Sequence, residues 1–280
     1  MALTTFTFSS NDGKNLLGRL WVTRLKKPKG IVHLIHGLGE HSGRYDHIGK
    51  ALTKTGYHLA AFDLRGHGLS QGQRGHIPDF DHLIDDVKLF LRETKNQIGN
   101  TLPTFLYGHS LGGNIVLALE LQYDTHQTGI IVTSPCLETT FPPPKIKVSL
   151  AKHMSRIMPA FSLKNGLETA ALSRNNAVVK AYKDDVYVHN ILSAQLGMAI
   201  IESGQYVLNS APRWTKPLLL MHGTADRITS PIASQRFAEN AGTDVNLILW
   251  EDYYHELHND FGSDVVINEM ISWLDAISLN

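Results

Sequence analysis

Compact apolar runs and amphipathic stretches alternate along most of this chain. Phe6-Thr7-Phe8, the turn Asn11-Asp12-Gly13 and the segment Leu16 to Val22 predict an opening antiparallel hairpin. Ile31 to Ile35 and Tyr57 to Phe62 are short apolar runs bounded by glycine, and between them Tyr45, Ile48, Ala51 and Leu52 recur at helical spacing. The same strand and helix alternation continues with a helix from about Ile77 to Asn96, on which Phe80, Leu83, Ile84, Val87 and Leu91 share a face. It runs on through a strand at Thr104 to Tyr107, a helix starting near Leu111 and a strand at Gly129 to Thr133. It resumes later with a strand at Pro217 to Met221, a helix from Pro231 to Ala241 and a strand at Val245 to Trp250. A last helix carries Ile267, Met270, Ile271, Leu274 and Ile277. Repeated βα units of this kind specify an α/β fold, with a mostly parallel central sheet and helices on both faces.

The rhythm breaks between Pro135 and about Pro212. This stretch holds three successive prolines, Pro142 to Pro144, and several helix-like segments, but no run that reads as a strand. The expectation is a single domain over residues 1–280 with a helical cap inserted at 136–210. Within the cap Ile146, Leu150, Met154, Ile157 and Phe161 fall on one helical face and Lys145, Lys152 and Arg156 on another. That pattern suits a helix over an acyl tunnel or against a lipid surface, and equally one packed on the core.

Composition narrows the function classes. A 280-residue chain with 42% hydrophobic residues buries a large core, and 26 basic against 26 acidic residues give no pull toward nucleic acid. The single cysteine, Cys136, rules out an internal disulfide framework and has no zinc-type spacing. Neither a signal-peptide pattern at the N-terminus nor an apolar membrane span is visible, so the expected location is cytoplasmic, with transient contact to a membrane surface through the cap left open.

The chemistry concentrates where strands end. Gly108-His109-Ser110-Leu111-Gly112 follows an apolar run and precedes a helix, the context of a nucleophile elbow. Ser110 is the candidate nucleophile, and the Leu111 amide at the new helix N-terminus is a candidate oxyanion donor. A serine hydroxyl needs a histidine to take its proton and a carboxylate to hold that histidine. His222-Gly223-Thr224-Ala225-Asp226 follows the strand at Pro217 to Met221, and Glu251-Asp252-Tyr253-Tyr254-His255 follows the strand at Val245 to Trp250. Ser110, Asp226 and His255 then stand in the chain order of this fold's triad. Asp226 has a competing role as a turn or helix-capping residue, Asp252 is a weaker alternative carboxylate, and His258 rivals His255, which is favoured because it lies nearer the strand end. The second oxyanion amide is expected from His36-Gly37-Leu38-Gly39-Glu40, at Leu38. Asp63 and Arg65 read as ties between loops.

These residues resemble the monoacylglycerol lipase and lysophospholipase branch of the α/β-hydrolases, grouped with serine aminopeptidase-like S33 proteins. The resemblance is carried by His36-Gly37-Leu38-Gly39-Glu40-His41-Ser42-Gly43-Arg44-Tyr45, the elbow, Leu172-Ser173-Arg174-Asn175, Gly223-Thr224-Ala225-Asp226 and Tyr254-His255-Glu256-Leu257-His258. It implies an α/β-hydrolase fold, the same triad and the same oxyanion amides, and a polar pocket of Glu40, Arg44 and Tyr182 for a glycerol-like head group. Glu40 and Arg44 have an alternative as mutually paired scaffolding. The implied reaction is hydrolysis of a lipid monoester through an acyl-serine intermediate, with no metal or organic cofactor. An S33-type aminopeptidase, with Glu168, Asp184 or Asp185 receiving a substrate ammonium, is the alternative enzyme; a non-catalytic binding protein on the same fold is the alternative from another class.

Overall fold

The computed structural model describes residues 1–99, 101–242 and 245–278. Its centre is an eight-stranded sheet in the order β1-β2-β4-β3-β5-β6-β9-β10. The hairpin pairs β1 (Ala2–Ser9) with β2 (Asn15–Val22), and β2 runs antiparallel to β4 (Tyr57–Phe62). All further pairings are parallel, through β3 (Gly30–Ile35), β5 (Thr104–His109), β6 (Gly129–Thr133), β9 (Leu218–Gly223) and β10 (Val245–Trp250). Strands β3, β4, β5, β6 and β9 are buried along their whole length, which is why they read as continuous apolar runs rather than as alternating ones.

Helices cover both faces. On one, α1 (Asp46–Thr55) and α8 (Ser263–Ser278) bury Ile48, Leu52, Val266, Met270 and Leu274 against Leu34, Leu59, Tyr107 and Leu219. On the other, α2 (Phe80–Ile98), α3 (Leu111–Gln122) and α7 (Pro231–Ala241) set Leu83, Val87, Ile115, Leu119 and Phe237 against Leu106, Ile130 and Leu220. Helix α3 lies over the middle of the sheet and is apolar nearly all round. Burying a Leu or Phe side chain of this kind is worth about 1.5–3 kcal/mol. Elements are thereby held rigidly enough to aim the loops at the carboxyl ends of the strands.

Between β6 and β9 the chain forms α4 (Lys145–Ile157), β7 (Ser162–Lys164), α5 (Asn176–Asp184), β8 (Ile191–Ser193) and α6 (Ala194–Ser210). Three features differ from the sequence expectation. The three-residue strands β7 and β8 pair antiparallel, too short to leave a periodic signal. Helix α6 sends Leu196, Ala199 and Val207 into the main core and packs on α3, so the end of the inserted stretch belongs to the helical layer as well. Helix α4 packs on α6 with Val148, Ala151 and Met154 half-buried, while Ile146, Leu150 and Ile157 stand exposed; the predicted apolar face is split. Asp63 and Arg65 tie loops together as read: Asp63 accepts from the Ser42 N–H at 2.9 Å, and Arg65 forms a fork on Asp86 at 2.6 and 2.7 Å.

Candidate active site

Ser110 lies between β5 and α3 with φ 54° and ψ −115°, a left-handed backbone that costs of order 1–3 kcal/mol for a residue other than glycine. The surroundings hold it there. Its N–H donates to Thr133 O at 3.0 Å, and its carbonyl accepts from Cys136 at 2.9 Å and from Asn114 at 3.1 Å. The flanking glycines are required by contact: a Cβ at Gly112 would collide with the carbonyl of Ile35, and one at Gly108 would lie 2.5 Å from Gly112 O. A sharp turn packed this tightly lifts the Ser110 side chain out at the end of β5.

The loops after β9 and β10 bring Asp226 and His255 together, with His255 Nδ1 2.7 Å from Asp226 Oδ2. The other carboxylate oxygen of Asp226 accepts from the backbone N–H groups of Ile228 and Thr229 at 2.7 and 3.0 Å, so Asp226 shapes its own turn as well as holding the histidine. The helix cap at α7 is Ser230 instead, whose side chain accepts from Ala233 N. Burial alone would push the Asp226 carboxyl up, but the charge and hydrogen bonds of His255 and His222 outweigh it and hold the group well below the usual carboxylate range. For His255 burial pulls downward, and the adjacent Asp226 carboxylate reverses this, leaving the imidazole above its ordinary value.

The rivals sit elsewhere. His258 is stacked on Tyr45 at 5.0 Å between ring centroids, and burial together with His109 and His47 drives it well below an ordinary histidine. Asp252 is exposed at the turn after β10, where its N–H donates to Thr224 Oγ1.

The end of β6 and the segment after it link Ser110 and His255: Thr133 and Cys136 hold the Ser110 backbone, while Ser134 Oγ donates to the His255 carbonyl at 2.8 Å. Ser134, Thr229 and His222 were not legible as site residues. Thr229 Oγ1 lies 2.9 Å from Asp226 Oδ2, and His222 Nε2 lies 3.0 Å from the same oxygen. Only their position at or beyond the carboxyl ends of β6 and β9 hinted at such roles.

The loop after β3 approaches from the other side. A Cβ on Gly37 would lie 3.1 Å from Ser110 Cβ and 3.0 Å from Glu40 Oε1. Leu38 follows at the turn, and among the described residues its N–H donates to no protein acceptor. Glu40 fixes this loop from below: Oε1 accepts from the Gly37 N–H at 2.6 Å and from Tyr45 at 2.7 Å, and Oε2 pairs with Arg44 at 2.7 Å. Arg44 also forms a fork on Glu256 at 2.7 and 2.8 Å, and Tyr182 places its ring 4.7 Å over the guanidinium. Glu40, Arg44 and Tyr182 are thus brought together, with the two charged groups engaged with each other and with Glu256, a partner the sequence did not reveal. Burial would raise the Glu40 carboxyl, yet Arg44 overcomes it and keeps the group well below the usual range.

The Leu172-Ser173-Arg174-Asn175 motif clamps the inserted segment to the histidine loop. Leu172 O accepts from the Glu256 N–H at 2.8 Å, and Asp260 accepts from Arg174 N and Nε, both at 2.9 Å. Of the inserted carboxylates, Glu168 pairs with Arg227, Asp184 with Lys180 and Asp185 with His41.

Taken together, the arrangement offers a strained serine, a carboxylate-held histidine and a glycine-bearing loop with an amide to spare, which suits acyl transfer. Comparison with known proteins agrees in kind. Residues 26–261 match the serine aminopeptidase S33 family. The monoacylglycerol lipase of Mycolicibacterium smegmatis is 33% identical over 96% of this chain and 95% of its own length. An abhydrolase domain-containing protein of Dictyostelium discoideum is 36% identical over 95% of this chain, which spans 28% of that relative's length. Among solved structures, the Paleococcus ferrophilus monoacylglycerol lipase superposes with a TM-score of 0.83 at 33% identity, covering 99% of this chain and 100% of that one, so the architecture is that of an α/β-hydrolase.

Proposed function

The chain belongs to the serine aminopeptidase S33 family and is a hydrolase of the serine esterase type acting on lipid esters, and within that class we propose that it cleaves monoacylglycerol or lysophospholipid through an acyl-Ser110 intermediate. The observation that carries the reading is the 2.7 Å contact between Asp226 and His255 beside a serine held at φ 54°. Asp226 takes the Nδ1–H of His255, which leaves Nε2 for the Ser110 proton. Ser110 Oγ attacks the ester carbonyl as its proton passes to His255. The Leu38 and Leu111 amides receive the oxyanion, and the imidazolium then protonates the departing alcohol. Water, deprotonated by His255, adds to the acyl-serine, and collapse of that second tetrahedral intermediate releases the fatty acid and restores Ser110.

Residues 136–210 act in this reading as a cap over the site. Exposed Ile146, Leu150 and Ile157 on α4 suit transient contact with a membrane surface from which substrate is drawn; among the described residues no helix is long and apolar enough to cross a membrane. In the head-group pocket the hydroxyl of Tyr182, beside Gly39, meets a glycerol-like group, and Glu40 and Arg44 hold the wall behind it. The aminopeptidase alternative is less well supported, because each of Glu168, Asp184 and Asp185 already has a cationic or histidine partner.

The test is hydrolysis of monoacylglycerols and lysophospholipids of graded chain length, with Ser110→Ala as control. Turnover of the lipid monoesters and its loss in the variant is the expected result. Turnover of aminoacyl amides alone would refute the lipid assignment.

A further inference from the structure

His222 is the penultimate residue of β9, four residues before Asp226, and its side chain is fully buried. Its Nε2 lies 3.0 Å from Asp226 Oδ2 and 3.2 Å from the Thr229 carbonyl. Both are acceptors, so Nε2, which also has the Thr229 hydroxyl at 3.3 Å, carries the proton. Its Nδ1 lies 2.8 Å from Ser234 Oγ on α7, and a hydroxyl donates to the bare nitrogen there. The ring is thereby fixed at both ends, with Nε2–H turned toward Asp226. Asp226 Oδ2 is then shared between two imidazoles, with His255 Nδ1 at 2.7 Å opposite His222 Nε2. The nearby Thr229 hydroxyl has a single proton to divide between Oδ2 at 2.9 Å and Ser134 O at 3.0 Å, which makes His222 the steadier second donor.

We propose that His222 is a positioning residue for the hydrolysis, whose Nε2–H shares the Asp226 oxygen that orients His255 and so limits how strongly that oxygen holds the His255 proton. The inference rests on the reading of Ser110, Asp226 and His255 given above. A carboxylate oxygen that loses a donor keeps more of its charge for the imidazolium, and His255 then gives up its proton only at higher pH. The other groups facing this pair do not change in a His222 variant. The His109 ring lies 4.9 Å from that of His255, and the Glu256 and Glu40 carboxylates add negative potential toward it. The Cys136 thiol faces Asp226, and burial, with that carboxylate adding to it, pushes it up to about 12, so it stays protonated.

The test compares pH profiles of kcat/KM on a monoacylglycerol for the full chain and for His222→Leu, His222→Gln and Ser234→Ala. His222→Leu is expected to move the acid limb up by about 0.5–1 pH unit and to lower the plateau about 3- to 10-fold, the loss of one hydrogen bond. His222→Gln, whose amide can donate to the same oxygen, brings the limb at least halfway back. Ser234→Ala removes the hydroxyl that fixes the ring at Nδ1, loosens the Nε2–H contact with Asp226 and moves the limb in the same direction by less; it decides the matter if the leucine variant does not fold. An acid limb unmoved in the folded variants, a limb moved downward, a plateau that falls with the limb in place, or no recovery with glutamine overturns the proposal. Covalent labelling of wild-type Ser110 by a fluorophosphonate separates the two levels. No labelling means that the underlying triad reading has failed, whereas labelling with unmoved limbs refutes the role of His222 alone.

Discussion

Replacing Arg44 with methionine removes the one cation from a buried group that contains two carboxylates. The Arg44 side chain is 10% exposed, and its partners Glu40 and Glu256 are 3% and 2% exposed. Solvent therefore cannot take over the lost pairing. Breaking a buried pair by removing one partner costs about 3–5 kcal/mol, about a fifth or more of the roughly 5–15 kcal/mol by which domains are stable. The lower end of that range is expected, since Glu40 keeps Tyr45 and the Gly37 N–H, and Glu256 keeps Asn259 Nδ2 at 2.8 Å. The loss should depend on pH in a definite direction. In the native protein Glu40 is held below its unfolded value, so its contribution is present above the unfolded pKa and fades as pH falls through the folded one. Without Arg44 the burial of Glu40 loses its largest counterweight and its carboxyl rises toward or above the unfolded value; protonation then relieves part of the penalty, and the deficit of the variant narrows from pH 8 to pH 5. Denaturant unfolding followed by tryptophan fluorescence at the two pH values measures both effects. Arg44→Lys should recover part of the loss, because a lysine restores the charge without the fork. A loss under about 1 kcal/mol that is the same at both pH values would mean that the pair behaves as a surface contact, and the reasoning would fail.

Other consequences follow from the same geometry. Because Asp226 holds His255 above its ordinary value and catalysis needs the neutral imidazole, kcat/KM should fall on acidification with an apparent pKa above about 6.5, the ordinary histidine value; a limb well below that would contradict the contact. Gly112→Ala should be at least as damaging as loss of an oxyanion donor, about 100- to 1000-fold in kcat, since the added methyl must displace the Ile35 carbonyl and with it the loop that leads to Leu38. Near-normal turnover of that variant would show that the elbow tolerates the shift. Replacing exposed Ile146, Leu150 and Ile157 by serine should weaken flotation with phospholipid vesicles while leaving turnover of a short, dissolved ester within about 2-fold.

The central sheet was readable because its buried parallel strands are continuous apolar runs and its helices, apart from the nearly all-apolar α3, carry one apolar face each, a pattern strong enough to place nearly every element. What escaped was set by tertiary contact. Strands β7 and β8 have three residues each, too few to show alternation, and α4 points Ile146 and Leu150 outward although its spacing equally suited a packed face. At the site, Ser110, Asp226, His255 and the Leu38 loop announced themselves by position at strand ends. His222, Thr229, Ser134 and Glu256 act through partners 3 to 212 residues away, and nothing local in their sequence surroundings separates such a residue from an ordinary turn polar group. The Glu40 and Arg44 pair was foreseen as an alternative, but not its extension to the histidine loop.

The proposed mechanism turns on Ser110 as the nucleophile and on His255, held by Asp226, as the group that activates it. Incubation with a fluorophosphonate, followed by mass spectrometry of the labelled peptide, tests this most directly. One phosphonyl adduct on Ser110, formed at least about 100-fold more slowly in His255→Ala and absent in Ser110→Ala, is the predicted result. An adduct on another residue, or labelling of Ser110 at the same rate without His255, would contradict it.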